Sequence, residues 1–444
     1  MNNIDLLNNS KPLLIFDGSC AFCRSCIRFI KKHDAKLQFN FADNKQIDTK
    51  VILTQHFINP ENLNSIVLIE NSRVHTQSDA VIKILLHLNG RWRLLAGILT
   101  IIPITFRNKV YCMKTNFTDQ TGITYPIIMA PMFLVSNEAM MQSAIQTEIM
   151  GVFPTLNYRK HAELDELIKR LQQFKSGKKG SFGVNLIVQK TNPMYNGHLK
   201  ICVENKVPFY ITSLGSPREV IEAAHSYGAK VYCDVTNITH AEKCANFGCD
   251  GFIAVGQGAG GHAGPYAQTV LIPTLQKHFP SIPVIAAGGI ATGDGIAAMM
   301  SLGAAGVSIG TRYIASKEAE VSDDYKNCIL KSGMDNIVMT ERLSGTPCNI
   351  INTPYAKKIG YKQNWLEKFL SNNATTKKYF KMLVQYKGIK ALEQAIKPGN
   401  YKTLWTAGQT VELIDDILTC NEITERLIKE TYQSVQNLNL IFKN

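Results

Sequence analysis

From about Tyr125 onward, apolar residues cluster in short runs: PIIMAPM, MGVFPT, SFGVNLIV, PFYITSL, KVYCDVT, GFIAVGQG, IPVIAAGG and AGVSIGT. Bounded runs of this length read as buried strands. The stretches between them, such as AELDELIKRLQQF, PREVIEAAHSYG and THAEKCANFG, repeat their apolar positions every three or four residues, and several close on a glycine. That is the pattern of amphipathic helices with a glycine after the last turn. Eight strand-helix units predict an α/β chain whose main body is a (β/α)8 TIM barrel. An open dinucleotide-binding sheet fits less well, because no GxGxxG opens the first unit and no acidic residue follows at the required distance.

The beginning of the chain has a different rhythm. The apolar run PLLIF is followed by DGSCAFC and then by RSCIRFIKKHD, which has helical periodicity. Strand, turn, CxxC and helix is the order that a dithiol site needs. Cys20 falls where a helix N-terminus favours a thiolate, and Cys23 lies one turn on, close enough to resolve a mixed disulfide. Cys26 extends the pattern to CxxCxxC, so a redox pair, buried structural thiols and a metal site all remain open readings at this point. Metal ligation lacks a second cysteine pair at ligand spacing, Cys112 standing alone. The expected organisation is a tail over 1–10, a small domain over 11–115 and a barrel over 116–444, with a helical, substrate-covering segment at about 331–400.

Composition changes this picture little. At 444 residues, 45% of them apolar, the chain can bury more than one core. Its net charge of +13 comes from Lys and Arg that are scattered, and the densest run, SGKKGS, is short. That charge reads as a solvated face, with no nucleic-acid partner expected. The polar start MNNIDLLNNS is not a signal peptide, and LLAGILTIIPITF is too short for a bilayer and carries Gly97 and Pro103. A cytoplasmic protein without a membrane span is expected, its eleven cysteines mostly free core thiols.

In such a barrel, chemistry belongs at the C-terminal ends of the strands. Those ends carry Ala130, Pro131 and Met132 after strand 1, Asn185 in strand 3, and Thr212 to Gly215 after strand 4. Ala287, Gly288 and Gly289 follow strand 7, and Gly310 and Thr311 follow strand 8. Glycines at these last two positions suit a phosphate, since backbone N–H groups close on it only where no side chain intervenes. After strand 6 the stretch QGAGGHAGP sets His262 among glycine and alanine, beside Gly261. An imidazole there can take a proton or hold an anion near neutral pH.

Two families resemble this chain. IFDGSCAFCRSCIRFIKKHD, SDAVIKILLHLNGRWRLLAGILTIIP and RNKVYCM, within about residues 11–115, resemble the DCC-type thiol-disulfide oxidoreductases, named for residues matching Asp17, Cys20 and Cys23. That resemblance implies a thioredoxin-like fold, a Cys20–Cys23 dithiol and a thiol redox partner, although NLNSIVLIE has no proline before the strand facing the dithiol. From about Thr118, PIIMAPM, GVNLIV, QGAGGHAG, PVIAAGGI, GVSIGTRYI and LWTAGQTVELIDDIL resemble the nitronate monooxygenases, formerly 2-nitropropane dioxygenases.

The second resemblance implies FMN, with its phosphate at Gly289, Gly310 and Thr311 and its ring near Ala130, Pro131, Met132 and Asn185. It also places Gly261, Ala287 and Gly288 against the cofactor and assigns catalysis to His262, acting on a nitroalkane anion and molecular oxygen. Where some relatives carry a lysine near the end of strand 5, this sequence has Asp234. Two alternatives stay open: an NAD(P)H-dependent quinone or enoyl-thioester reductase on the same barrel, and a redox-regulated flavin-binding partner module.

Overall fold

The computed structural model describes residues 11–16, 21–34, 38–55, 66–70, 73–75, 77–88, 90–101, 113–189, 192–341, 346–362 and 404–441. The chain divides into two units, Met1–Cys112 and Met113–Asn444.

In the first unit β1 (Leu13–Phe16) pairs in parallel with β2 (Asn40–Asp43) and antiparallel with β3 (Val67–Glu70), which forms a hairpin with β4 (Arg73–His75). The order β2-β1-β3-β4 is that of a thioredoxin-like sheet. Parallel neighbours need a crossover, and the helix Ala21–His33 supplies it between β1 and β2. Alternation along β1 covers both faces of the sheet. Leu14 packs with Ile27, Ile30 and Leu85, while Leu13 and Ile15 pack with Ile52, Leu53 and Ile69. Cys23 is the third residue of the crossover helix and Cys26 lies one turn on, both half-buried. Asp17 and Cys20 lie outside the described residues.

The second unit is a closed barrel of eight parallel strands, β5 (Ile127–Met129), β6 (Met150–Pro154), β7 (Ser181–Ile187), β8 (Phe209–Ser213), β9 (Lys230–Val235), β10 (Gly251–Val255), β12 (Val284–Ala287) and β13 (Gly306–Ile309). Closure comes from β13 pairing with β5, Val307 opposite Ile127. Each strand corresponds to one apolar run of the sequence. Successive residues point to opposite faces, so Ile128, Val152, Phe209, Ile211, Tyr232, Ile253 and Ile285 fill the interior while their neighbours pack outward against the helices.

The N-terminal mouth of the barrel is sealed. A short helix, Asn116–Thr121, starts with a capping box between Thr115 and Thr118 and sends Phe117 inward. The Phe117 ring meets Phe209 at 5.9 Å and Tyr232 at 5.5 Å, and the Tyr232 hydroxyl donates to Gln120 Oε1 at 2.9 Å. Gly251 makes room for Tyr232, since a Cβ there would lie 2.1 Å from the tyrosine ring. Access is left to the opposite end.

At that end a small sheet covers the barrel. β11 (Gly261–His262) pairs antiparallel with β15 (Cys348–Ile351), which pairs with β14 (Ile337–Thr340). The expectation of a helical segment over about 331–400 therefore does not hold for most of its described part, where β-branched runs in IVMT and CNII build a hairpin, flanked by a single 3-10 turn at Met334–Asn336 and the short helix Pro354–Ile359. The helices read into NWLEKFLSNNATTKKYFKMLVQYKG lie outside the described residues. The chain then returns through Trp405, which stacks on Tyr325 at 5.2 Å, and ends in the helix Cys420–Ile441 against Gly293–Ser301. No helix among the described residues is long and apolar enough to cross a membrane.

Candidate functional site

Strand parity gathers the sequence-selected residues at the open end. Ala130, Asn185, Ser213, Asp234, Ala287 and Gly310 all continue the inward register set by Ile128, Ile211, Tyr232 and Ile285. The Ala130–Met132 loop is held from behind. Met132 N donates to Ser136 Oγ at 3.0 Å, and Asn157 receives Leu134 N at 2.8 Å while giving Nδ2 to Ser136 O at 2.9 Å. Leu134 and Leu214, both in loops on this side, have φ near +60°. A leucine in that region is strained, and such strain gathers where surrounding structure fixes a loop for a purpose.

Asn185, Ser213 and Asp234 form a connected polar row across β7, β8 and β9. Asn185 Nδ2 donates to Ile211 O at 3.2 Å and to Ser213 Oγ at 2.8 Å, and Ser213 Oγ donates to Asp234 Oδ2 at 2.5 Å. Burial pushes the Asp234 carboxyl up to about 6, with the Ser213 hydroxyl pulling it partly back.

His262 is placed by long-range pairing. Its strand lies opposite Cys348 and Asn349, and Asn349 Nδ2 donates to Gln257 O at 2.9 Å and Ala259 O at 2.8 Å. The loop from β10 to β11 is thereby pinned at two carbonyls. Its imidazole is exposed to solvent, yet the protein atoms around it partly desolvate it and disfavour the charged form. Its pKa lies below the ordinary histidine value for that reason.

Among the glycines around His262, a Cβ on Gly260 would lie 2.7 Å from Gly408 N and 2.8 Å from the Ala407 carbonyl carbon. This glycine admits the chain's own returning segment. The pair after β12 is split in role: Gly288, at φ +99°, has Ala259 N only 2.4 Å from its would-be Cβ, whereas Gly289, at φ +80°, faces open space. Gly289 N donates to Gly258 O at 3.1 Å, so Gly289 contributes clearance rather than a donor. A Cβ on Gly310 would meet the Ala130 and Met132 side chains at 3.7 and 3.8 Å, and Thr311 Oγ1 accepts from Gly408 N at 3.0 Å while keeping its own proton to donate.

Sequence reading missed three positions. Asn349 clamps the His262 loop, Gly408 closes it, and Gln268 joins β10 to β12 by donating to Ala254 O at 2.8 Å and Ala287 O at 2.6 Å. Only Gly408 had a signal, inside LWTAGQ; the other two are isolated amides whose partners are distant in sequence.

A family model described as nitronate monooxygenase matches residues 191–430, and one described as DCC1-like thiol-disulfide oxidoreductase matches residues 14–115. The chain belongs to the nitronate monooxygenase family. As a member it is a flavin-dependent oxidoreductase, with a thiol-disulfide oxidoreductase-like domain ahead of the barrel. Among curated relatives, a 5-hydroxy-7a-methyl-1-oxo-octahydro-1H-indene-4-carboxyl-CoA dehydrogenase of Mycobacterium tuberculosis is 26% identical over 352 residues, covering 73% of this chain and 98% of its own. A probable nitronate monooxygenase of Staphylococcus aureus is also 26% identical, covering 55% of this chain and 80% of its own. Among solved structures, FabK from Thermotoga maritima superposes with a TM-score of 0.63 at 30% identity, covering 73% of this chain and 98% of that one.

Proposed function

We propose that the barrel binds FMN and oxidises alkyl nitronates, the anions of nitroalkanes, with molecular oxygen. The observation that carries this reading is a histidine at the C-terminal mouth of the barrel, on a strand paired with β15 and following a loop that Asn349 holds at two carbonyls. Nearby space fits a flavin: Gly289 faces a clearing, Gly310 adds no side chain, and the Thr311 hydroxyl retains a proton to give. In this reading Ala287, Gly288, Gly289, Gly310 and Thr311 hold the phosphate end, while Ala130, Pro131, Met132, Asn185 and Gly261 lie along the ring. FMN, when bound, supplies the electron acceptance and oxygen chemistry that side chains lack.

His262 handles the proton. As a neutral imidazole it accepts the acidic hydrogen from the carbon bearing the nitro group, and as the resulting cation it balances charge spread onto the nitro oxygens. A second reading is favoured by a relative that covers 73% of the chain and is named as an octahydro-1H-indene-4-carboxyl-CoA dehydrogenase. A neutral base at the same place suits the α-hydrogen of a thioester, and reduction by NAD(P)H belongs to the same alternative.

Purified protein should be yellow, release FMN on denaturation, and consume oxygen with ethyl nitronate. A colourless protein that takes up no FMN on reconstitution would overturn the flavin site. Rapid anaerobic bleaching by NADH, without nitronate-dependent oxygen uptake, would favour the second reading.

A further inference from the structure

The helices His161–Lys175 and Tyr195–Glu204, which follow β6 and β7 at the open end of the barrel, bring two imidazoles together at their starts. His198 is 0% exposed, and neither of its ring nitrogens finds a hydrogen-bond partner of ordinary geometry. Buried polar side chains are rarely left so. The Tyr158 carbonyl draws on the ring from one side, which leaves the other nitrogen with a bare lone pair, and burial keeps that lone pair from being spent on a proton. His161 is exposed, with its ring centroid 5.6 Å from that of His198 and the two planes 75° apart. Position 197 explains how the rings meet. Glycine is disfavoured within a helix, yet a Cβ on Gly197 would lie 2.5 Å from both Cε1 and Nε2 of His161. The missing side chain lets the Nε2 edge of His161 settle against the backbone beside His198.

We propose that His161 and His198 form a two-imidazole site for a divalent transition cation of the class that imidazole prefers, zinc, nickel or copper. A cation about 2.0–2.1 Å from one nitrogen of each ring sets the centroids roughly 5–6 Å apart at tetrahedral or wider angles, the interval in which the observed separation falls. A ligating histidine commonly gives its other ring N–H to a backbone carbonyl. Tyr158 plays that part for His198. His161 is the point of entry, and the remaining coordination positions stay open to solvent, since among the described residues no group of three His, Cys, Asp or Glu side chains is placed to hold a metal. A water would satisfy His198 without His161; the cation needs both. Bound there, it ties the starts of the two helices, and with them the loop of Asn157, which accepts from Leu134 N at 2.8 Å and donates to Ser136 O at 2.9 Å. Occupancy thereby stiffens one wall of the candidate site without touching the reactants, and it does so whether or not the barrel holds a flavin.

The test is amide hydrogen exchange of the full-length protein at neutral pH, stripped of metal with a chelator and then titrated with zinc ion. Exchange in the N-terminal halves of the helices His161–Lys175 and Tyr195–Glu204 should slow as zinc rises, by on the order of tenfold once the free ion stands at about ten times its dissociation constant. His161→Ala and His198→Leu should each abolish the slowing. The first changes an exposed residue and the second keeps the buried space filled, so both variants should fold. Zinc taken up by the cysteines near the start of the chain would not depend on either substitution. No slowing in wild type at any zinc concentration that leaves the protein soluble would overturn the proposal. Slowing that survives in either variant would overturn it as well, and would leave His198 to a bound water.

Discussion

His262 stands on a two-residue strand whose partners, Cys348 and Asn349, lie far along the chain. Gly260, two residues before it, has no room for a side chain because the returning backbone at Ala407 and Gly408 packs against it, which fixes the loop that carries the ring. Replacing His262 with alanine should leave FMN bound, since the phosphate site proposed above lies after β12 and β13. Turnover should fall by about 10²–10⁴, the usual worth of a positioned acid-base group. The loss should be larger for a neutral nitroalkane than for nitronate supplied ready ionised, which has no carbon-bound proton to give up. Oxygen uptake with both forms measures this, and equal wild-type rates would make the imidazole scaffolding. The pH profile has a definite sign. Because the pKa lies below the ordinary value of about 6.5, the base form persists through neutral pH, and kcat/KM for the nitroalkane should fall only as pH drops through that depressed value. His262, Asn185 and the strand-end glycines were legible because each is a chemical oddity in an apolar run. Asn349 and Gln268 were not, because an amide that bridges two carbonyls looks in sequence like any exposed amide.

The elements were legible in proportion to how local their cause is. Eight buried strands announce themselves as eight apolar runs, because a strand packed on both faces must be apolar throughout. The cover sheet did not, since β11 has two residues and exists only through pairing with β15. For the crossover helix Ala21–His33 a chemical consequence follows from position alone. The helix dipole acts on its first turn and fades along its length, so Cys23 in that turn is better activated than Cys26 one turn on. Together with Cys20, which precedes the helix, Cys23 should form the reversible pair. Mass mapping of alkylated thiols under mild oxidant should find Cys20–Cys23, and a Cys23–Cys26 bond or stoichiometric zinc would count against the dithiol reading.

At the scale of the molecule, the chain divides into two units, each with its own core. The return of the C-terminal segment to the barrel mouth had no comparable local cause, being held by Tyr325 stacking on Trp405, its hydroxyl donating to Thr406 O at 2.6 Å, and Arg312 bound to Asp416. Such a barrel also carries a buried titrating group remote from these contacts. His198, 0% exposed on the helix Tyr195–Glu204, packs edge-on to His161 with ring centroids 5.6 Å apart. Burial, and then His161, bring its pKa down to about 4. Below the ordinary value of about 6.5 the unfolded chain takes up a proton that the folded barrel refuses, so stability declines as pH falls toward 4 and is unaffected by this group above 6.5. The slope is at most about 1.4 kcal/mol per pH unit, on the order of 3 kcal/mol over the whole interval. His198→Leu removes the titration and leaves no buried ring nitrogen to satisfy. Amide hydrogen exchange across β6 and β7, which reports the barrel alone, should therefore show wild-type protection weakening between pH 6.5 and 4.5 more steeply than in the variant. Parallel profiles would mean that His198 protonates as readily in the folded barrel as outside it, and that acid sensitivity arises elsewhere.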